Sequence, residues 1–186
     1  MEAITGFVIL VSVAEWLFLA KESSPNLVDM ATAKQELGDF GEKAVAANVK
    51  CPGCKRTDRT IRLLPTNFKC ADLVCDFCGY LAQVKSMTVK NPEVIPRRVL
   101  GAAWKPQLER MEASIYFPLY IVLVESTRNF AIYFLPRELQ TREMFIPRKP
   151  LSSKAKRAGW QGYEIDLTQA LGLPTQVFAK NTSKKQ

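Results

Sequence analysis

The sequence predicts an α/β domain in which a mixed β-sheet is flanked by helices and carries an inserted four-cysteine metal site. Two apolar runs, 115–124 and 130–135, are apolar at consecutive positions, which is typical of strands covered on both faces. A segment of helical periodicity precedes them, and two Cys-x-x-Cys pairs lie in between. With 186 residues, of which 47% are hydrophobic and 24% charged, the chain is long enough for one complete core.

The charge balance favours a polyanionic partner. Lys and Arg total 26 against 18 acidic residues, giving a formal charge of +8 and a pI of about 9.3. Nucleic acid is the first such partner to consider, and an anionic membrane surface is the second. The complete absence of histidine excludes Ser/His and Cys/His catalysis and any His-ligated metal. Acid–base chemistry must therefore use carboxylates, lysine, tyrosine or water on a metal ion, and no small-molecule cofactor is expected.

Residues 1–29 are interpreted as an apolar N-terminal extension. A signal peptide lacks its basic start here, and a membrane span would place Glu15 in the bilayer at a cost of roughly 2 kcal/mol or more. The preferred interpretation is that translation starts at Met30, and a packed amphipathic helix is the next. The main domain is then 30–179, followed by a disordered basic tail, 180–186, in a cytoplasmic protein without membrane attachment.

The first predicted element of this domain is a helix over 35–48. Leu37, Phe40 and Val45 fall at helical spacing and are available to the core. Glu42 lies on the same helix, where it is either an exposed carboxylate paired with a neighbouring lysine or a residue of a functional site.

Four cysteines follow the helix in two matched pairs. Cys51 and Cys54 form the first pair, and Cys75 and Cys78 form the second after 20 intervening residues. This spacing is typical of a four-thiolate structural zinc site, whereas disulfides and a redox pair are disfavoured. Because four cysteines complete the coordination, this zinc stabilises structure and performs no hydrolysis. Cys70, the fifth cysteine, is predicted to be a small buried side chain on a strand.

The second cysteine pair lies between two short predicted strands, so we expect it at the tip of a hairpin. Strand period places Gln83 and Lys85 on one face, with Val84 on the other, and Asp72 can lie opposite them. Carboxylate and amide oxygens suit Mg²⁺, and a nearby lysine can position or deprotonate an attacking water. A polar triplet on a solvated strand face is the alternative.

The remaining elements are a helix over 99–114, starting or interrupted near Pro106, and then the two apolar strands. The densest basic stretch follows, and its candidate contacts to nucleic acid are Lys154, Lys156, Arg157 and Trp160. The basic side chains would contact phosphates while Trp160 offers its ring to a base. The alternatives are a solvated basic face and a core tryptophan between turn glycines.

Two blocks of this sequence resemble one known family. The order Cys-x-x-Cys, Ala-Asp-x-x-Cys-x-x-Cys and Gln-x-Lys-Ser is similar to the catalytic domain of the DpnI-type restriction endonucleases, the Dam-replacing family. A second match, Arg157-Ala-Gly-Trp160-Gln-Gly followed by Ile165-Asp-Leu, occurs in the order that the family has. The resemblance covers roughly 35–177.

This resemblance implies a PD-(D/E)XK fold of the restriction-endonuclease type and Mg²⁺-dependent cleavage of double-stranded DNA. Asp72 and Gln83 would bind Mg²⁺, Lys85 would act on the water, and Glu42 would be a supplementary ligand. The implied substrate carries N6-methyladenine in a GATC-like site. The chain departs from the family in having Gln83 where the fold usually has glutamate, and in ending without room for a C-terminal winged-helix module, which a separate partner could supply.

Two other functions stay open on the sequence alone. A zinc-ribbon DNA-binding protein without catalysis would explain the neutral Gln83 and the missing module. A membrane-tethered nuclease would follow if residues 3–20 crossed a bilayer.

Overall fold

The computed structural model describes residues 27–54, 56–65, 68, 71–170 and 172–180. The chain divides into two units, Met1–Lys34 and Gln35–Gln186. In the first unit the described residues, 27–34, form the beginning of a helix that includes Met30, so the other residues of the expected extension lie outside the described part. No helix among the described residues is long and apolar enough to cross a membrane.

A six-stranded sheet forms the centre of the second unit. Its strand order is β1-β2-β3-β5-β6-β9. The β3–β5 pair is parallel and every other pair in the sheet is antiparallel, so the sheet is mixed as predicted. The strands are β1 (Ile61–Leu63), β2 (Leu73–Cys75), β3 (Leu81–Thr88), β5 (Leu119–Ser126), β6 (Asn129–Leu135) and β9 (Thr175–Lys180).

A second, three-stranded antiparallel sheet has the order β4-β8-β7. Its strands are β4 (Arg98–Ala103), β7 (Phe145–Pro147) and β8 (Gly162–Asp166). Three short 3₁₀ turns complete the described chain, Arg137–Leu139, Arg142–Met144 and Leu167–Gln169.

Two helices of the described residues flank the sheets. Helix α1 is Leu27–Asn48, which confirms the predicted helix over 35–48 and extends it toward the N-terminus. Helix α2 is Trp104–Glu112, with Pro106 in its first turn, where a missing N–H costs no hydrogen bond. The predicted helix over 99–114 is wrong for its first residues. Those residues form β4, because Val99 and Leu100 pair with β8, a partner more than sixty residues away.

The two hydrophobic cores lie on opposite faces of the central sheet. Along β5, Tyr120 and Val122 belong to the first core, with α1, while Leu119 and Ile121 belong to the second core, with α2 and the small sheet. All these side chains are at most 3% exposed. The apolar runs are therefore central strands covered on both faces, as predicted, although β5 starts at Leu119 and not at 115.

The predicted mixed α/β class is confirmed by this architecture. Two expectations at the sequence level fall partly or wholly outside the described residues. Lys180, the first residue of the expected tail, ends strand β9, and 181–186 are not described. Cys70 also lies outside the described residues.

Candidate active site

The β2–β3 hairpin carries the second cysteine pair at its tip and the predicted residues Asp72, Gln83 and Lys85 near its base. Leu73 pairs with Ala82 and Val74 with Leu81, so the predicted hairpin is confirmed. The second cysteine pair lies at its tip, where Gly79 adopts a φ of 72°, a left-handed conformation that glycine accepts without strain. Asp72 and Gln83 lie at the other end, next to the Leu73–Ala82 pair.

The four cysteine sulfurs converge on one point. Cys51 Sγ lies 3.6 Å from Cys78 Sγ, Cys54 Sγ lies 4.0 Å from Cys75 Sγ, and all four are within 4.8 Å of one another. A tetrahedral zinc ion about 2.3 Å from each sulfur places the sulfurs about 3.8 Å apart. The spacing therefore fits a metal ion such as zinc, and the two cysteine pairs separated by 20 residues are brought together as expected.

Local hydrogen bonds make two of these thiols differ. Burial opposes ionisation of Cys75, but the hydrogen bond between its sulfur and Thr60 Oγ1, together with hydrogen bonds from the amides of Cys78 and Phe77, outweighs it and lowers the pKa of Cys75 to about 6. Burial raises the pKa of Cys51 to about 12. Of these two thiols, Cys75 more readily supplies the thiolate that metal binding requires.

Strand alternation orients the residues at the base of the hairpin. Gln83 and Lys85 are half-buried and lie beside Leu119 and Ile121 of β5, on the face of the second core. Val84 is buried in the first core on the other face. The alternation predicted from the sequence is confirmed, and it directs an amide and an ammonium group to the same side of the sheet.

Strand β2 is too short to pair with all of β3, and the side chain of Asp72 takes the place of a backbone partner for Val84. The Oδ2 of Asp72 accepts a hydrogen bond of 2.6 Å from the backbone N–H of Val84. The Nζ of Lys85 lies 3.7 Å from the same Oδ2 and donates to the Val84 carbonyl at 2.9 Å. Both of these contacts of Asp72 use Oδ2. The side chains of Lys85 and Asp72 are 19% and 29% exposed, which leaves them accessible to a ligand.

Helix α1 brings Glu42 to this end of the hairpin. Burial raises the pKa of Glu42, and the negative charges of Asp72 and Asp39 raise it further, while Lys85 lowers it. Glu42, Asp39 and Asp72 line a cavity of about 110 Å³ together with Leu64, Pro65, Phe68 and Ala71. Mutually repelling carboxylates with hard oxygen donors fit Mg²⁺ in chemical type.

Two contributors to this region were not predicted. Asp39 lies three residues before Glu42, and that helical spacing was the signal that could have identified it. Gly41 permits the close approach of α1 to β3, because a Cβ there would overlap the Oγ of Ser86 and lie 3.5 Å from Val122 Cγ2. Nothing in the sequence marks position 41 as a contact with β3.

The predicted nucleic-acid-binding residues lie elsewhere, on the loop between β7 and β8. Lys154, Lys156 and Arg157 are exposed, and no acidic side chain in the described part of the chain forms an ion pair with them. Trp160 is half-buried against Gly162, and the guanidinium of Arg157 lies 4.5 Å from its ring centroid. Trp160 is therefore neither a fully buried core residue nor a freely exposed ring.

Backbone hydrogen bonds hold this loop in one conformation. Leu151 N–H donates to the Trp160 carbonyl at 2.9 Å, and Gly159 N–H donates to the Leu151 carbonyl at 3.0 Å. Gly159 has a φ of 74°. The basic side chains thus project from an ordered turn.

The structure groups the predicted residues into three sets: the cysteines, the Asp72–Gln83–Lys85 site with Glu42, and the basic loop. A comparison with protein families matches the DpnI family model, described as the Dam-replacing family, over residues 26–183. The match spans all three sets and most of the chain. This family has a restriction-endonuclease-like fold and indicates a nuclease of a restriction system with DNA as its substrate. The chain belongs to the Dam-replacing family.

Proposed function

We propose that the protein is a Mg²⁺-dependent endonuclease that hydrolyses double-stranded DNA at GATC-like sites containing N6-methyladenine. Asp72 and Gln83 are the proposed magnesium ligands, Glu42 assists them, and Lys85 acts on the attacking water. The four cysteines are proposed to hold a structural zinc ion. Reduced thiol ligands also fit the reducing conditions of a cytoplasmic location.

The observation that carries this proposal is the contact between Lys85 and Asp72. The ammonium group lies 3.7 Å from a carboxylate that a backbone N–H already fixes, beside an amide on the same strand face. Phosphodiester hydrolysis needs a site for a hard cation next to a group that can orient water. A half-buried carboxylate that contacts this ammonium group supports the proposal over a chance polar triplet on a solvated strand face.

The side chains divide the work of the reaction as follows. When bound, Mg²⁺ would offset the charge of the scissile phosphate and make water a stronger acid. Lys85, held by Asp72 and the Val84 carbonyl, orients the water for attack on phosphorus. As the new P–O bond forms, the water gives up a proton and the ester P–O bond breaks. The departing oxygen takes a proton, so the products are a phosphate end and a hydroxyl end.

The loop between β7 and β8 is proposed to bind the DNA. Lys154, Lys156 and Arg157 supply exposed positive charge for phosphates. Trp160 is proposed to contact the methylated adenine, and since Arg157 covers part of its ring, this contact requires Arg157 to move to a phosphate. Methyl dependence rests on family membership and on an aromatic ring within the basic loop.

The test is cleavage of plasmid DNA with and without adenine methylation, in Mg²⁺, by the wild type and by Lys85→Ala. We expect the methylated plasmid to be cut by the wild type and the variant to lose at least about 100-fold in rate. Zinc content and melting temperature of both proteins show that they are folded. Absence of cleavage by folded, zinc-loaded wild type would remove the nuclease proposal, and equal cleavage of both plasmids would remove methyl dependence alone.

A second candidate function is DNA binding without catalysis, and Gln83 is the observation that favours it. A neutral amide attracts a divalent cation less strongly than a carboxylate. In that case the wild type and Lys85→Ala would bind methylated duplex equally, and neither would cut it in Mg²⁺.

A further inference from the structure

The three-stranded sheet has one covered face and one open face. Val99 of β4 and Ile165 of β8 pair with each other and pack in the second core. The next positions point the other way, because strand side chains alternate. There Leu100 pairs with Glu164, which pairs in turn with Ile146 of β7. Leu100 is 57% exposed, so solvent reaches this side, which we call the outer face.

A carboxylate in the middle of the outer face holds two arginines. Arg98 Nη1 lies 3.2 Å from Glu164 Oε2, and Arg148 Nε lies 3.6 Å from Glu164 Oε1. Arg98 Nε also lies 3.5 Å from Oδ2 of Asp166, a buried carboxylate on the same strand. The two arginine side chains are 48% and 51% exposed. Because ion pairs this exposed add little to stability, the main effect of Glu164 is to set where the two guanidiniums lie.

The outer face carries an excess of positive charge. It contains a groove of about 390 Å³, lined by Arg98, Ile146, Pro147, Arg148, Lys149 and Glu164. Arg97 lies beside the groove, 68% exposed and 3.8 Å from Asp166. Four basic side chains thus face two carboxylates, of which Asp166 is buried, and Lys149 forms no ion pair with a described acidic residue. An open surface with this balance complements a polyanion.

The outer face continues into the basic loop between β7 and β8. Arg148 is the first residue after β7, its N–H donates to the Gly162 carbonyl at 3.0 Å, and its carbonyl accepts from Gln161 Nε2 at 2.7 Å. The register places Arg98 one pair beyond Glu164 on one side of β8 and Arg148 one pair before it on the other side. The basic side chains therefore run diagonally across the sheet and join the exposed cations of the loop.

We propose that the outer face binds the phosphate backbone of double-stranded DNA through Arg98, Arg148 and Lys149. The inference takes its partner from the proposed function and adds a contact surface beyond the loop, on a sheet that contains neither Asp72 nor Lys85. A planar guanidinium matches the oxygens of a phosphate, and arginine is the main basic residue of this face. Phosphate contacts carry no sequence information, so the face holds DNA whatever its methylation.

The test measures the salt dependence of DNA binding. Fluorescent GATC duplexes, adenine-methylated and unmethylated, are titrated in Mg²⁺ with Lys85→Ala protein, so that the DNA stays intact, and with the same protein carrying Arg148→Gln. Loss of one phosphate contact should reduce the slope of log K against log salt by about 0.9, which weakens binding about eightfold at 0.1 M salt. The reduction should be equal for the two duplexes. A reduction confined to the methylated duplex would overturn the assignment to phosphates.

Two further variants keep the test independent of the ion pairs. Lys149→Gln removes a charge of the groove without breaking an ion pair of the described residues, and it should reduce the slope by the same amount. Arg98→Gln combined with Arg148→Gln should reduce it by about 1.8, as expected for two contacts. Melting temperature and zinc content show that each variant is folded.

The matched control is Arg62→Gln. Arg62 lies on β1 of the central sheet, is 58% exposed and lies 2.8 Å from Asp76, so the variant also loses one charge and one exposed ion pair. Its slope should equal that of the parent protein. An equal reduction in Arg62→Gln would mean that the effect follows net charge, and it would overturn the outer face as a binding surface.

The outcomes separate this inference from the proposed function. Unchanged slopes in folded Arg148→Gln and Lys149→Gln would overturn the outer face alone, even if the wild type cuts DNA. Reduced slopes together with a wild type that cuts no DNA would remove the nuclease and keep the outer face. Weaker binding of the variants to phosphatidylserine vesicles, with unchanged DNA slopes, would assign the face to a membrane surface and overturn the proposal.

Discussion

The two ends of the β2–β3 hairpin carry different candidate metal ligands, which converge on one point at the tip and are spread apart at the base. At the tip, four sulfurs from two distant cysteine pairs already lie within 4.8 Å of one another. At the base, Asp72, Gln83 and Lys85 are half-buried. Burial raises the pKa of the nearby Glu42, and the negative charges of Asp72 and Asp39 raise it further. Among the described residues, only the cysteines form a converged group of three or more acidic or thiol ligands.

This difference in ligand type and spacing suits the tip to stabilising the fold and the base to contact with a substrate. Four soft thiolates that enclose an ion leave no coordination position for water, so the tip suits a structural metal ion. Hard oxygen donors that are spread apart leave room for water and for phosphate oxygens.

Cys75→Ser should have the largest effect, because it removes one of the four cysteine ligands at the hairpin tip. We expect loss of bound zinc and a destabilisation of more than about 4 kcal/mol, since the folded hairpin tip depends on the ion. Zinc content by native mass spectrometry and unfolding in urea measure both quantities. Cys70→Ser, which removes a thiol outside the four, is the matched control and should retain one zinc ion. A zinc-loaded Cys75→Ser protein of wild-type stability would contradict the structural assignment of the tip.

Gly41→Ala tests how closely α1 must approach strand β3. The added Cβ would overlap Ser86 Oγ, so we expect a destabilisation of about 1–3 kcal/mol from overpacking. Gly38→Ala on the same helix has no neighbour within 4 Å and should stabilise by about 0.5–1 kcal/mol. Urea unfolding of both variants gives the comparison.

Ser86→Ala added to Gly41→Ala refines this prediction. The Ser86 hydroxyl is buried and has no hydrogen-bond partner among the described residues, so its removal costs little and makes space for the new methyl group. The double variant should regain part of the lost stability. If Gly41→Ala behaves like Gly38→Ala, the close approach is not a constraint on the fold.

Gln83→Glu tests whether the Asp72–Gln83–Lys85 site lacks only one negative charge for tight Mg²⁺ binding. A carboxylate in place of the amide should tighten Mg²⁺ binding about tenfold, equivalent to about 1.4 kcal/mol. The Mg²⁺ concentration at half-maximal cleavage and calorimetric titration both report this change. Gln83→Met, which removes the oxygen, should shift the midpoint in the opposite direction. An unchanged midpoint in Gln83→Glu would mean that position 83 does not bind the metal.

Glu42→Gln should have the smallest effect, and its sign depends on pH. Because the pKa of Glu42 is raised in the folded state, first by burial and then by Asp72 and Asp39, its ionisation destabilises the fold. That cost is absent below the ordinary glutamate pKa of about 4.3 and is complete once the pH exceeds the folded pKa. Glu42→Gln should therefore be more stable than the wild type at pH 7, by roughly 0.5 kcal/mol, and equal to it at acid pH.

Magnesium supplies the control for this last prediction. If Glu42 is near the bound cation, Mg²⁺ should raise the melting temperature of the wild type more than that of Glu42→Gln at pH 7. Equal shifts in the two proteins would place Glu42 outside the metal site.

Local patterns in the sequence predicted the parts of the molecule that local interactions determine. The cysteine spacing, the alternation of Gln83, Val84 and Lys85 and the helix over 35–48 each follow from neighbours within a few residues. The site residues at 72, 83 and 85 belong to one hairpin, which is why their proximity could be expected before the structure.

The remaining parts depend on contacts between distant positions. Segment 99–103 was expected to be helical, but pairing with β8 makes it a strand. The Gln107–Tyr163 hydrogen bond joins residues 56 positions apart, and the packing of Gly41 against Ser86 joins a helix to a strand. No periodicity within a short window carries such information, so these features required the three-dimensional arrangement.

The short length of β2 gives the cysteine cluster a further consequence. Leu73 and Val74 are the two residues of β2 that pair with β3, and the backbone N–H groups of Asp72 and Cys75 add one hydrogen bond each across the hairpin. Few backbone hydrogen bonds therefore distinguish the native register of β2 from its neighbours. A slip of one residue in β2 would turn Asp72 away from Lys85 and move Leu73 out of the first core. Because Cys75 and Cys78 must both reach the same ion as Cys51 and Cys54, such a slip is incompatible with a complete cluster. A metal at the tip would thus act as a register lock that keeps Asp72 beside Lys85.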